Sequence, residues 1–221
     1  MENACEMIQA THAPLLPAYP GFPEVRAERV TVLCEGPSAF HASQDELQAA
    51  CAGGPVIAIN RAIAFSDRVP IDFWATYDDP RNLWEWAQPH LHSKTKLFTS
   101  EDKVIVWDTL LPDFERLYAW HPTSMDGGDV EPDANGLYPL MPTIFSTLAW
   151  LLKLQVQEVV LVGVDMAGKG TPFLGDWDED SDEMHECRWA VERVFLAHSS
   201  RFYRAKGARI KRWDKSRNRT R

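Results

Sequence analysis

The segment Gly36-Pro37-Ser38 is the part of the sequence best suited to bind a phosphate, because it directly follows the apolar run 30–34. A glycine lets the backbone approach an anion, and backbone amides and a serine hydroxyl can donate hydrogen bonds to it. The same residues also form ordinary tight turns, and this alternative stays open. If the segment binds phosphate, Gly36→Val should abolish nucleotide binding and leave the fold intact.

Other apolar runs also end in polar residues, namely Asn60-Arg61 after 56–59, Asp78-Asp79 after 71–76 and Gly163-Val164-Asp165 after 158–163. The carboxyl ends of parallel strands meet at one edge of a sheet, so we expect these segments to lie near one another there. Hard oxygen ligands suit Mg²⁺ or Mn²⁺, which makes Asp78 and Asp79 the candidate metal ligands. Capping of the next helix is the plainer role for this pair, and the sequence does not decide whether a metal is used.

The elements that must position these segments are short strands alternating with helices. The predicted strands cover about 30–34, 56–59, 71–76, 96–99, 104–107, 158–163 and 209–213, and the predicted helices about 43–52, 80–91, 143–154 and 184–205. This alternation is typical of an α/β protein, here a single Rossmann-like domain with a mostly parallel sheet flanked by helices. The expected division is an N-terminal arm over 1–28, one α/β domain over 29–213 and a basic tail over 214–221.

Composition narrows the class of protein further. The chain has 221 residues, of which 45% are hydrophobic and 25% charged, as in an ordinary globular domain. No apolar run approaches the ~18 residues of a membrane span, and the first twenty residues contain no Lys or Arg, so we expect a cytoplasmic protein with no membrane partner. The four cysteines form no CxxC pair, and neither GxGxxG nor GKS/GKT occurs, which disfavours zinc knuckles, dinucleotide folds and P-loop NTPases.

The net charge of −9 is unevenly distributed. Residues 201–221 hold ten of the 23 Lys and Arg but one of the 32 acids, so they carry +9, and residues 1–200 carry −18. An acidic body is unlike a general nucleic-acid binder, although the basic end could contact phosphates. DNA is therefore a candidate partner, and a solvated terminus is the plainer alternative.

The motifs, taken in order, resemble the bacterial sialyltransferase-like glycosyltransferases. The same pattern belongs to a wider group that includes archaeal 6-hydroxymethylpterin pyrophosphokinase-like proteins and uncharacterised phage proteins. The resemblance covers about residues 30–213, and the blocks that carry it are VLCEGPS, IAINRAI and TIFSTLAWLLKLQVQEVVLVGVDMAG.

The resemblance implies a nucleotide-sugar donor bound at the carboxyl edge of the sheet. The residues that it places at the donor are Gly36, Pro37, Ser38, Asn60, Arg61, Thr143 and Gly163. Among them, the Gly-Pro-Ser segment would face the phosphate and ribose, Asn60 would contact the nucleotide, and Thr143 would open a helix near its oxygens.

The implied catalytic residues are His185, Asp165 and Lys169. His185 lies where a family histidine deprotonates the acceptor hydroxyl; a partly exposed residue at the start of a helix is the equal alternative. Lys169 lies where the sialyltransferases have tyrosines that stabilise the departing phosphate, and a lysine could supply positive charge there. The missing tyrosines argue against sialic acid as the donor sugar.

Three functions remain open from the sequence. The first is transfer of a sugar from a nucleotide sugar to a hydroxyl of a modified DNA base, a glycan or a metabolite. The second is Mg²⁺-dependent pyrophosphoryl or nucleotidyl transfer to a small alcohol. The third is a non-catalytic phage structural or binding module, because a fold does not fix a function. An oligomer is compatible with each of them.

Overall fold

The structure is a computed structural model that describes residues 24–78, 80–92, 94–110, 117–120, 143–166 and 182–213. The strands are β1 (Arg29–Leu33), β2 (Val56–Ile59), β3 (Phe73–Ala75), β4 (Lys96–Ser100), β5 (Leu117–Trp120), β6 (Glu158–Val162) and β7 (Arg209–Arg212). The helices are α1 (Pro37–Phe40), α2 (Gln44–Cys51), α3 (Pro80–Ala87), α4 (Glu101–Leu110), α5 (Thr143–Lys153) and α6 (Asp182–Ala205), with 3₁₀ helices at Asn60–Asp67 and Gln88–His90.

The strands form one seven-stranded sheet in the order β5-β4-β3-β2-β1-β6-β7, and every pairing is parallel. The predicted α/β, Rossmann-like fold is confirmed. From β1 the chain moves to β2 on one side, whereas β6 pairs with β1 on the other side. The order of strands therefore reverses between β1 and β6, and in open α/β sheets ligands bind in the crevice beyond the carboxyl ends at such a point.

Helices cover both faces of the sheet. On one face α5 and α6 pack on alternate strand residues such as Val30, Val32 and Leu161. On the other face α1 to α4 and the first 3₁₀ helix pack on residues such as Leu33 and Ala58. Both faces of the central strands are thus buried, which is why β1, β2 and β6 are nearly continuous apolar runs in the sequence.

The prediction of a strand over 104–107 is wrong, because these residues lie inside α4. A short apolar run such as Val-Ile-Val-Trp does not by itself distinguish a strand from a buried helix. Here β4 and β5 are parallel neighbours, so the chain between them must cross back over the sheet, and α4 lies in that connection. The strand that follows, β5, was not predicted.

The predicted arm and tail lie largely outside the described residues. Residues 1–23 and 214–221 are not described, but the end of the arm packs with the domain: Val25 is in the core, and the Glu28 carbonyl accepts hydrogen bonds from the Gln157 and Glu158 amides. In the described segments, every helix is too short or too polar to cross a membrane.

The contact between α5 and α6 gives a test of the packing. The Tyr203 hydroxyl, fully buried on α6, donates a 2.7 Å hydrogen bond to the Leu148 carbonyl of α5. Tyr203→Phe should lower the free energy of unfolding by about 1 kcal/mol, the usual net value of such a bond. Urea titration measures this, and Val194→Ala at an exposed position of α6 is the control, expected to stay within about 0.5 kcal/mol of wild type. Equal losses of stability in the two variants would contradict the hydrogen bond from Tyr203 to the Leu148 carbonyl.

Candidate functional site

The loops that follow β1 and β6 are joined by hydrogen bonds beyond the ends of the strands. The Cys34 amide donates to the Val162 carbonyl at 2.8 Å, and the Gly36 amide donates to the Gly163 carbonyl at 2.9 Å. Two residues further along each loop, the Ser38 amide donates to Asp165 Oδ2 at 2.7 Å. The parallel pairing of the two strands therefore continues into the crevice at the point where the strand order reverses.

Two glycines permit this close approach. A Cβ atom at Gly36 would overlap the carbonyl oxygen of Gly163 and lie 2.5 Å from Asp165 Oδ2. Gly163 has a φ of +73°, and a Cβ there would overlap the Cys34 carbonyl oxygen and lie 2.8 Å from the Ala39 Cβ. Any larger side chain at either position would have to push the two loops apart.

These contacts change the interpretation of the Gly-Pro-Ser segment. The amides of Gly36 and Ser38 are both used within the protein, and Pro37 has no amide hydrogen to offer. The amides of Gly36 and Ser38 are therefore not free to bind a phosphate. The overlap of a Cβ at Gly36 with backbone also argues that Gly36→Val would disturb the fold, contrary to the expectation from the sequence. The Ser38 hydroxyl has no hydrogen-bond partner among the described residues and stays available to a ligand.

Asn60 and Thr143 are brought together from distant parts of the sequence. The Thr143 hydroxyl, at the start of α5, donates to Asn60 Oδ1 at 3.2 Å. The Asn60 backbone is left-handed, with a φ of 49°, and its carbonyl accepts a 2.8 Å hydrogen bond from the indole of Trp74. With Oδ1 bonded to Thr143, the Asn60 amide nitrogen is on the other side of the amide group, and it has no acceptor among the described residues.

Arg61, the next residue, lies beside α3. Its guanidinium carbon is 5.9 Å from the ring centre of Trp86, and its carbonyl accepts a 3.3 Å hydrogen bond from the indole of the same residue. A cation over an indole face is a favourable contact. This packing fixes the 3₁₀ helix that begins at Asn60, so Arg61 supports the position of its neighbour.

Residues that the sequence analysis missed hold the loop after β6. Arg193 on α6 donates to the Met166 carbonyl at 2.7 Å, and Arg212 on β7 donates to the Val164 carbonyl at 2.6 Å. Met166 itself has a left-handed backbone, with a φ of 49°. Non-glycine residues in this conformation persist where their surroundings fix them, and they are concentrated at functional sites. No short motif in the sequence could have identified these two arginines.

Three carboxylates lie close enough to the end of β1 to affect the Cys34 thiol. Burial raises the pKa of the Cys34 thiol above its usual value, and the negative charges of Glu35, Glu192 and Asp165 raise it further. Glu192 is another residue that the sequence analysis missed, brought to the loops by α6. Cys34 is half-buried and packs against the core, and a thiol whose pKa is raised is a poor nucleophile.

The remaining predicted residues are placed only in part. His185 is the fourth residue of α6, but its side chain lies outside the described residues, as do Lys169 and Asp79. Asp78 is exposed after β3, and its amide donates to the Thr76 hydroxyl at 3.3 Å. Within the described ranges, no group of three or more His, Cys, Asp or Glu side chains could hold a metal ion.

A second cleft of about 460 Å³ lies at the opposite edge of the sheet, where β3 and β4 begin. Its lining mixes cations and anions, with Arg68 and Lys94 beside Asp67 and Asp72. The guanidinium of Arg68 donates to the carbonyls of Phe40 and Ala42, and Asp72 accepts the Val56 amide, so these two groups already serve the fold.

Comparisons with known proteins support the fold. The sequence matches no family model and no curated protein. A solved structure of the Maf glycosyltransferase from Magnetospirillum magneticum AMB-1 is similar in fold, with a TM-score of 0.51 and 16% identity over 72% of this chain. The chain spans about a quarter of that protein, 26% of its length.

The interlocked loops give a second test. Gly36→Ala should lower the free energy of unfolding by about 2 kcal/mol or more, because the new Cβ meets backbone rather than a movable side chain. Ser38→Ala is the matched control: it keeps the amide bond to Asp165 and should change stability by less than about 0.5 kcal/mol. Thermal and urea unfolding measure both, and an unaffected Gly36→Ala protein would show that the loops are not in contact.

Proposed function

We propose that the protein is a glycosyltransferase, which moves a sugar from a nucleotide-sugar donor to an acceptor hydroxyl at the carboxyl edge of the sheet. The observation that carries the proposal is a set of two hydrogen-bonded pairs, Asn60–Thr143 and Ser38–Asp165, at the carboxyl ends of the adjacent strands β2, β1 and β6. The likeness in fold to a glycosyltransferase and the resemblance in the sequence blocks support the same class of reaction.

The Asn60–Thr143 pair is the proposed contact to the nucleotide. Thr143 fixes the orientation of the Asn60 amide, whose nitrogen can then donate hydrogen bonds to oxygens of the ligand. The left-handed backbone of Asn60, tied by the Trp74 indole, keeps this amide at the edge of the sheet. An amide that is already fixed in position loses little conformational freedom when the nucleotide binds, so this arrangement favours high affinity.

His185 and Lys169 keep the catalytic roles proposed from the sequence. In the transfer, the acceptor oxygen forms a bond to the anomeric carbon while the bond from that carbon to the phosphate oxygen breaks. The acceptor proton passes to His185, and the electron pair of the broken bond stays on the nucleotide phosphate. Lys169 would offset the negative charge that develops there.

Nucleotide binding tests the proposed site. Isothermal titration with CMP, UDP, GDP and ADP, each with and without Mg²⁺ or Mn²⁺, should identify at least one ligand. Thr143→Val should lower the affinity for that ligand about tenfold, because the Asn60 amide loses the hydrogen bond that fixes its orientation. Thr95→Val is the matched control, a buried threonine at the other edge whose hydroxyl bonds the Ile71 carbonyl at 3.1 Å, and it should leave affinity unchanged. If no nucleotide binds the wild-type protein, the proposal is wrong.

Turnover tests the proposed base. With donor and acceptor saturating, His185→Ala should lower turnover by about 10²-fold or more while donor affinity stays the same. The measurement is initial rate against acceptor concentration, with His198→Ala, late on the same helix, as the control. Near-wild-type turnover in His185→Ala would reassign the base, with Asp78 the next residue to test.

A further inference from the structure

We infer that Asp165 and Ser38 bind neighbouring hydroxyl groups of the nucleotide ribose, and that the phosphates lie outside the β1–β6 crevice. The inference rests on the proposed function, since it names the part of the donor that enters this crevice. It also changes the role of Asp165 from catalysis to binding.

One oxygen of the Asp165 carboxylate has no hydrogen-bond partner among the described residues. Asp165 is half-buried, and Oδ2 accepts the Ser38 amide at 2.7 Å. Its other oxygen, Oδ1, has neither a hydrogen bond nor an ion pair among the described residues. A half-buried carboxylate oxygen in a crevice is an acceptor that a ligand hydroxyl can satisfy.

Carboxylates and guanidinium groups both lie around the ends of β1 and β6. Glu35, Glu192 and Asp165 all place negative charge around the Cys34 thiol at the end of β1. The nearby guanidinium groups of Arg193 and Arg212 are directed to the backbone carbonyls of the β6 loop. The Asp165 carboxylate attracts a hydroxyl donor, and the two arginines, which remain charged, are held at the carbonyls of the β6 loop.

The backbone amides of Gly36 and Ser38 are not available to bind phosphate. Gly36 and Ser38 donate their N–H groups to the β6 loop, so the segment presents the Ser38 hydroxyl instead of an amide nest. The Ser38 amide is bonded to Asp165, so the residue that carries this hydroxyl is next to the carboxylate. A carboxylate next to a hydroxyl matches two adjacent hydroxyl groups, such as those of a ribose.

The experiment compares ribonucleotides with their deoxy forms. CMP, UDP, GDP and ADP are each titrated calorimetrically against the 2′-deoxy and 3′-deoxy counterparts, using wild type, Asp165→Asn and Asp72→Asn. Asp72 is the matched control, since its Oδ2 also accepts a backbone amide, that of Val56 at 2.9 Å, but at the opposite edge of the sheet. Asparagine keeps an oxygen acceptor for the amide and removes the charge.

Wild type and Asp72→Asn should bind the preferred ribonucleotide about tenfold or more tightly than at least one deoxy form, because a site built to bond a hydroxyl rejects an analogue without it. Asp165→Asn should lose most of this preference, because its affinity for the ribonucleotide falls while its affinity for the deoxy form stays the same. If Asp165→Asn does not fold, Ser38→Ala, which keeps the backbone bond, should show the same reduced preference.

Equal affinity of wild type for the ribo and deoxy forms would overturn the inference and leave the proposed function standing. Equal weakening of both forms by Asp165→Asn would also overturn it, since that is the signature of a merely structural carboxylate. If none of the four nucleotides binds wild type, the proposed function and the inference fail together.

Discussion

The close approach of the loops after β1 and β6 is the constraint on which the site depends. Two glycines, Gly36 and Gly163, allow backbone to meet backbone. The amides of Cys34 and Gly36 extend the strand pairing into the loops, and the Ser38 amide adds a bond to the Asp165 carboxylate. The pairing fixes where the Ser38 and Asp165 side chains can lie. The strand order reverses at this junction, which is why we propose that the nucleotide binds there.

The same contacts determine which groups remain for chemistry. Amides that are hydrogen-bonded within the protein cannot also bind an anion, because each N–H donates one strong hydrogen bond. What remains are side-chain groups: the Ser38 hydroxyl, one oxygen of Asp165 and the amide nitrogen of Asn60. The site therefore combines a rigid backbone with a few polar side chains, an arrangement that orients a ligand through specific contacts.

Much of the fold could be predicted from the sequence, because a strand buried on both faces leaves a continuous apolar run between turn residues. This was sufficient for β1, β2 and β6, and for the placement of Asn60 and Asp165 at one edge. It failed at 104–107, where a run of four apolar residues belongs to a helix. The amide bonds between the loops, and the roles of Glu192, Arg193 and Arg212, could not be predicted, since they join residues far apart in sequence whose meeting depends on strand order and helix position.

The most direct test of the central claim is where a bound nucleotide perturbs the backbone. In a ¹⁵N-labelled protein titrated with the tightest-binding nucleotide, the account predicts that the largest amide shifts fall at residues 34–38, 60–61 and 163–166. The cleft at the opposite edge, lined by residues such as Ser66 and Thr95, should remain unperturbed. Shifts concentrated in that cleft, with the loops after β1 and β6 unchanged, would contradict the account.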